Sequence, residues 1–176
     1  MRAINPEREL RELFQGLVEQ VFFTEVGICA PAVTDYLSGL LADFVHVDRI
    51  YRMRSVDGRT IRELSRLQAD ADLGPATAED YRTLVINRYV GDLTLFWTGM
   101  YPETLRRRFQ GGIDRLHEYT LQGKRGYEIA SALTRPGQVP PADLLRGLSE
   151  QFESCMHGLA LVRRTWERHS RHVGHN

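Results

Sequence analysis

Lysine is almost missing from this chain. Of the 23 basic residues only Lys124 is a lysine. One reading is a genomic bias toward arginine codons. A sharper reading is that a chain using arginine elsewhere has kept one compact, easily perturbed amine, which makes Lys124 a residue to follow. Cysteine is nearly as scarce: Cys29 and Cys155 lie far apart and neither has a CxxC companion. That argues against a disulfide framework and for a reduced, cytoplasmic setting. Net charge is absent as well, with 23 acidic residues against 23 basic ones. A chain whose main work was neutralising phosphates would carry a basic excess, so nucleic acid is not the expected partner. No apolar run approaches the roughly 20 residues of a membrane span. Met1 to Glu9 hold no apolar segment, so neither a membrane nor a secretory leader is expected. A glycine-rich phosphate loop and a nucleophile elbow are also lacking.

What is present is apolar periodicity at helical spacing. The 176 residues, 42% hydrophobic and 26% charged, suit one globular domain spanning 1–176. Asn5-Pro6 reads as a helix start, and Leu10, Leu13, Phe14, Leu17, Val18, Val21 and Phe22 follow in steps of three and four up to Gly27. Ala30-Pro31 restarts the chain, and Val33, Tyr36, Leu37, Leu40, Leu41, Phe44 and Val45 predict a second helix that runs on through Tyr51. Asp57-Gly58 is a turn signal, and Thr60 to Asp72 predicts a shorter helix broken by Gly74-Pro75. Thr77, with Asp80 three residues on, reads as the cap of a central helix ending near Met100. Ile113 to Leu133 predicts another, whose seam contains the small residues Thr120, Gly123 and Ala130 and so invites close approach. From Ala142 the residues Leu145, Leu148, Phe152, Cys155, Leu159, Val162, Trp166 and His169 predict one unbroken helix. Residues 170–176 read as a frayed tail. The fold expected is all-α, a single-domain antiparallel helical bundle of five or six helices.

The stretch from Tyr89 to Glu103 is the most apolar and aromatic in the chain, and it carries one carboxylate, Asp92. A carboxylate in such a helix must be paired. Arg88, one turn earlier, is the local partner, while Lys124 and Arg125 are candidate tertiary partners. One reading is a buried ion pair that sets helix register. The other is a ligand pocket with Arg88, Asp92, Gln122, Lys124 and Arg125 as polar groups and Tyr89, Trp97, Tyr101, Tyr119 and Tyr127 as walls.

The pattern Gly91-Asp92-x-x-Leu95-Phe96-x-x-Gly99-x-Tyr101-Pro102-Glu103, followed by Tyr119-x-x-Gln122-Gly123-Lys124-Arg125-x-Tyr127, resembles a group of bacterial all-helical proteins to which no activity is assigned. The resemblance covers most of the chain from the second helix to about Leu133. It implies a bacterial cytosolic helical domain and no mechanism.

Metal chemistry has a weaker pattern. Asp43 with His46, Asp114 with His117, and Glu153 with His157 each place an acid and an imidazole on one helix face. The acid is aspartate in two of the three pairs, and such spacing also arises by chance, so no metal or other cofactor is expected. His169, His172 and His175 fit a solvated tail. Cys155 lies in an apolar seam, where a thiol acts as a small hydrophobe. The basic clusters are Arg106 to Arg108 with Arg115, and Arg163, Arg164, Arg168 and Arg171. The functional expectation is a non-catalytic interaction or regulatory domain acting through a protein partner or self-association. The alternatives are a small-molecule-binding protein or enzyme with a pocket near Asp92 and Lys124, and a metal-binding bundle.

Overall fold

Proline opens four of the seven α-helices among the described residues. The structure, a computed structural model, describes residues 6–51, 75–107 and 115–173. Its helices are α1 (Pro6–Val21), α2 (Pro31–Tyr51), α3 (Pro75–Met100), α4 (Pro102–Arg107), α5 (Arg115–Leu133), α6 (Ala142–Glu150) and α7 (Phe152–Val173). Proline suits a first helical position because its fixed φ is already helical and its missing N–H would have no partner there. That places the start of α3 at Pro75, not after Thr77 as the cap pattern suggested: Thr77 lies within the first turn. The expected turn at Asp57-Gly58 and the expected helix over 60–72 lie outside the described residues.

The chain is all-α, with no strand among the described residues. Most of the apolar seam positions read from the sequence are buried: Phe14 and Val18 on α1, Leu37 and Leu41 on α2, Leu95 and Phe96 on α3, and Tyr127 and Ala130 on α5 all lie in one core, whereas Leu13 of the α1 seam is 44% exposed. From Gly91 to Met100 no residue of α3 is exposed, as a helix apolar nearly all round requires. The C-terminal end of α1 widens into a π-helical turn, Phe22–Val26, closed by Gly27 at φ 82°, whose N–H bonds the Phe22 carbonyl at 2.9 Å. A left-handed closing residue of this kind is what glycine permits without a Cβ penalty.

The long helix expected from Ala142 is two helices. Gln151 sits at φ −105°, ψ 24°, outside helical geometry, although its N–H still bonds the Gly147 carbonyl at 2.9 Å. The seam continues across this bend, and Leu145, Leu148, Phe152, Cys155, Leu159 and Val162 are all fully buried. No glycine or proline stands at the bend to announce it. Its cause is tertiary: α6 lies along α5, whereas α7 packs on α3 and α1. The bend lets one apolar stripe serve both directions. At the far end α7 runs to Val173.

Helix directions follow from the pairings. Gly126 meets Asn87 and Gly91, and Gly123 meets Thr94, so α5 runs antiparallel to α3. Phe22 covers Gly158 and Phe14 meets Trp166 edge-on at 5.2 Å, so α7 runs antiparallel to α1. Leu159 fills the space beside Gly99, and Arg163 reaches the Met100 carbonyl, so α7 and α3 point the same way.

Arg163 ties the end of α3 down. Its Nη1 donates to the Met100 carbonyl and to Glu103 Oε1, each at 2.6 Å, and its Nε donates to Glu167 Oε1 at 2.8 Å. The guanidinium carbon lies 4.7 Å from the Tyr101 ring centre. One planar fork thus satisfies a helix-end carbonyl, two carboxylates and an aromatic face.

Candidate functional site

The α3–α5 contact is built on absent side chains. A Cβ on Gly126 would lie 2.6 Å from the Asn87 carbonyl oxygen and 3.1 Å from the Gly91 nitrogen. A Cβ on Gly91 would lie 2.7 Å from two atoms of the Tyr127 ring. Glycine at both positions lets the two backbones approach and lets the Tyr127 ring lie flat against α3, with its hydroxyl directed one residue on, to Asp92.

There the polar cluster forms. Tyr127 Oη donates to Asp92 Oδ1 at 2.8 Å, and Tyr36 Oη, from α2, donates to the same oxygen at 2.6 Å. Asp92 therefore joins three helices. The residue keeps some accessible surface, but burial is the largest influence on its carboxyl group and raises its pKa from 3.8 to about 6. The two phenol bonds and the positive charge of Arg88 oppose that rise, and the charge of Asp43 adds to it. Burial, reinforced by the Asp92 charge, lifts both phenols above their ordinary range, so both stay protonated and donate.

The chain's one lysine is elsewhere. Lys124 Nζ bonds both carboxylate oxygens of Glu153, at 2.8 and 3.1 Å. That bond is the largest influence lowering the Glu153 pKa. The expected pairing of Lys124 with Asp92 is thus replaced by a pair between α5 and α7, because Lys124 follows Gly123 on the α5 face turned toward α7. Arg125 and Gln122 are exposed, and Tyr119 is partly buried. Trp97 and Tyr101 pack on each other and on Phe96, with ring centres 5.5 to 5.9 Å apart, and Tyr89 stacks on Phe44 at 6.2 Å. Of the residues singled out around Asp92, the structure gathers Arg88, Asp92 and Tyr127. Tyr36 was read only as an apolar position of α2. The signal that could have found it is chemical: a tyrosine in a buried seam needs a partner for its hydroxyl, and the carboxylate in the neighbouring seam needs a donor.

Arg88 also borders a separate cavity of about 220 Å³ between the N-terminal half of α3, the start of α6 and the 134–141 connection. Tyr81, Leu84, Val85, Gln138, Val139 and Leu145 contribute to its wall.

The metal pattern does not converge among the described residues: no three of His, Cys, Asp and Glu gather there. Glu153 is engaged by Lys124, while Asp43, His117 and His157 are exposed. The side chains of His46 and Asp114 lie outside the described residues. The Cys155 thiol is fully buried and pushed up to about 12 by burial, which makes it a packing group and not a nucleophile. No described helix is long and apolar enough to cross a membrane.

Comparison with family models, with curated proteins and with solved structures finds no match for this chain.

Proposed function

We propose that this chain is a non-catalytic interaction or regulatory helical domain of the bacterial cytoplasm, acting through a protein partner or a second copy of itself. The observation that carries the reading is how the reactive side chains are used. Asp92 Oδ1 accepts two phenols, Tyr127 has no exposed surface, and Lys124 is held by Glu153. A catalytic group must reach a substrate within hydrogen-bond distance, whereas these groups use their hydrogen bonds to join helices. Apolar surface remains outside: Leu13, Phe23, Tyr81 and Leu121 are between 40% and 54% exposed, and a partner could cover such surface.

Light scattering on the eluting protein, from micromolar to near-millimolar concentration, tests self-association. A dimer is expected, and a monomer throughout would leave only a heterologous partner. Asp92→Asn keeps the acceptor oxygen and should leave assembly unchanged. Loss of assembly with an intact helical spectrum would count against a purely structural Asp92.

A further inference from the structure

We propose that the cavity between α3, α6 and the 134–141 connection binds a small amphipathic monocarboxylate, with Arg88 as the partner of its carboxylate. The inference goes beyond the interaction reading and does not depend on it. The cavity is lined by both apolar and polar side chains. Leu84 and Leu145, 6% and 0% exposed, contribute apolar surface from two helices. Arg88 and Gln138 are among its polar lining residues. Gln138 Oε1 accepts the Arg135 backbone N–H at 2.7 Å, which commits the oxygen to the turn and leaves the amide nitrogen as the end it can offer. Thr134 Oγ1 is committed to the Ala130 carbonyl at 2.7 Å, so the polar side chains left to a ligand are Arg88, the Gln138 amide nitrogen and the Tyr81 hydroxyl, and none of the described residues lining the cavity carries a carboxylate. Charge complementarity selects an anion, and a guanidinium favours one with two oxygens in a plane. A volume near 220 Å³ falls short of pockets for drug-sized molecules, so the apolar tail must be short.

Arg88 connects this cavity to the buried cluster. Its charge acts on Asp92, which faces Tyr36 and Asp43 from α2 and Tyr127 from α5. A carboxylate seated on Arg88 offsets that positive charge and so favours the protonated form of Asp92. Ligand binding and proton uptake are then linked, most strongly just above a pH of about 6, between the free and the ligand-raised values.

Hexanoate is a suitable probe, with hexanamide as its neutral counterpart, titrated into the full chain and followed by amide NMR. Saturable shifts are expected at residues 134–145 and along the first half of α3. Hexanoate should bind about tenfold or more tightly than hexanamide, as expected for a hydrogen bond to a charged group. Arg88→Met should abolish that preference and Arg88→Lys should keep part of it. Should Arg88→Met fail to fold, the comparison of the two probes on the unaltered chain decides alone. Calorimetry at pH 6 in two buffers of different ionisation enthalpy should show proton uptake, lost in Asp92→Asn. Equal binding of the two probes, no saturation at millimolar hexanoate, or shifts confined to another region would overturn the site. Binding without proton uptake would overturn the linkage.

Discussion

Tyr36 on α2 and Asp92 on α3 are joined by a hydrogen bond of 2.6 Å between the phenol hydroxyl and Oδ1. Tyr127 completes the junction from α5 at 2.8 Å. Three helices thus meet at one carboxylate whose charge is disfavoured by its surroundings, and the consequences are measurable.

The first concerns pH. Asp92 has a folded pKa of about 6 against an ordinary 3.8, so the fold favours its protonated form. Its contribution to stability is greatest below pH 4 and is lost as pH rises through about 6. The gap between the two values corresponds to at most roughly 3 kcal/mol. Asp92→Asn keeps an acceptor for both phenols and removes the buried charge. Its stability relative to the unaltered chain, measured by urea unfolding, should climb from pH 4 to pH 7 and level off above. A pH-independent difference would show that the carboxylate is not held this way.

The phenols should behave as separable donors. Tyr36→Phe and Tyr127→Phe each remove one hydrogen bond to a charged group, at a cost of roughly 1.5–3 kcal/mol near neutral pH. Each should also raise the Asp92 pKa further, because a donor that favours the carboxylate is gone. Carbon-detected NMR of the Asp92 carboxyl would read that change directly. Since both donors share one oxygen, the double variant should be non-additive.

Glycine substitution should separate close approach from mere helix content. Gly126→Ala drives a Cβ to 2.6 Å from the Asn87 carbonyl oxygen, where neither backbone can yield locally. A loss of about 3 kcal/mol or more is expected from such overpacking. Gly16→Ala, in α1 with nothing within 4 Å, should be stabilising by about 0.5–1 kcal/mol. Thermal unfolding of the two variants would distinguish them by sign.

Arg163 should be irreplaceable by lysine. Its fork serves Met100, Glu103 and Glu167 together, and its burial is offset by those acidic hydrogen bonds. Arg163→Lys keeps the charge but cannot reproduce that geometry, so a loss of roughly 1–2 kcal/mol is expected. Lys124→Met breaks an ion pair in which Glu153 is 59% exposed and should cost under about 1 kcal/mol. Chemical denaturation of both, compared at low and high salt, checks the ranking.

Periodicity and punctuation in the sequence determined the helical class, the start of α1 at Pro6, the stop at Gly27 after its π-helical turn, the restart at Pro31 and most of the buried positions. These are local properties: a stripe of apolar residues and a proline or glycine specify a helix and its ends without reference to the rest of the chain. The same local logic found Asp92 as a carboxylate needing partners and Tyr127 as a candidate around it. It did not find the bend at Gln151, where no breaker residue stands and the cause is the different course of α6 and α7. Nor did it find Tyr36, or the pairing of Lys124 with Glu153. Those were decided by which faces meet when helices pack, a relation between residues tens of positions apart. Composition marked the lysine as singular, but only the tertiary structure, by turning its face of α5 toward α7, chose the carboxylate it holds.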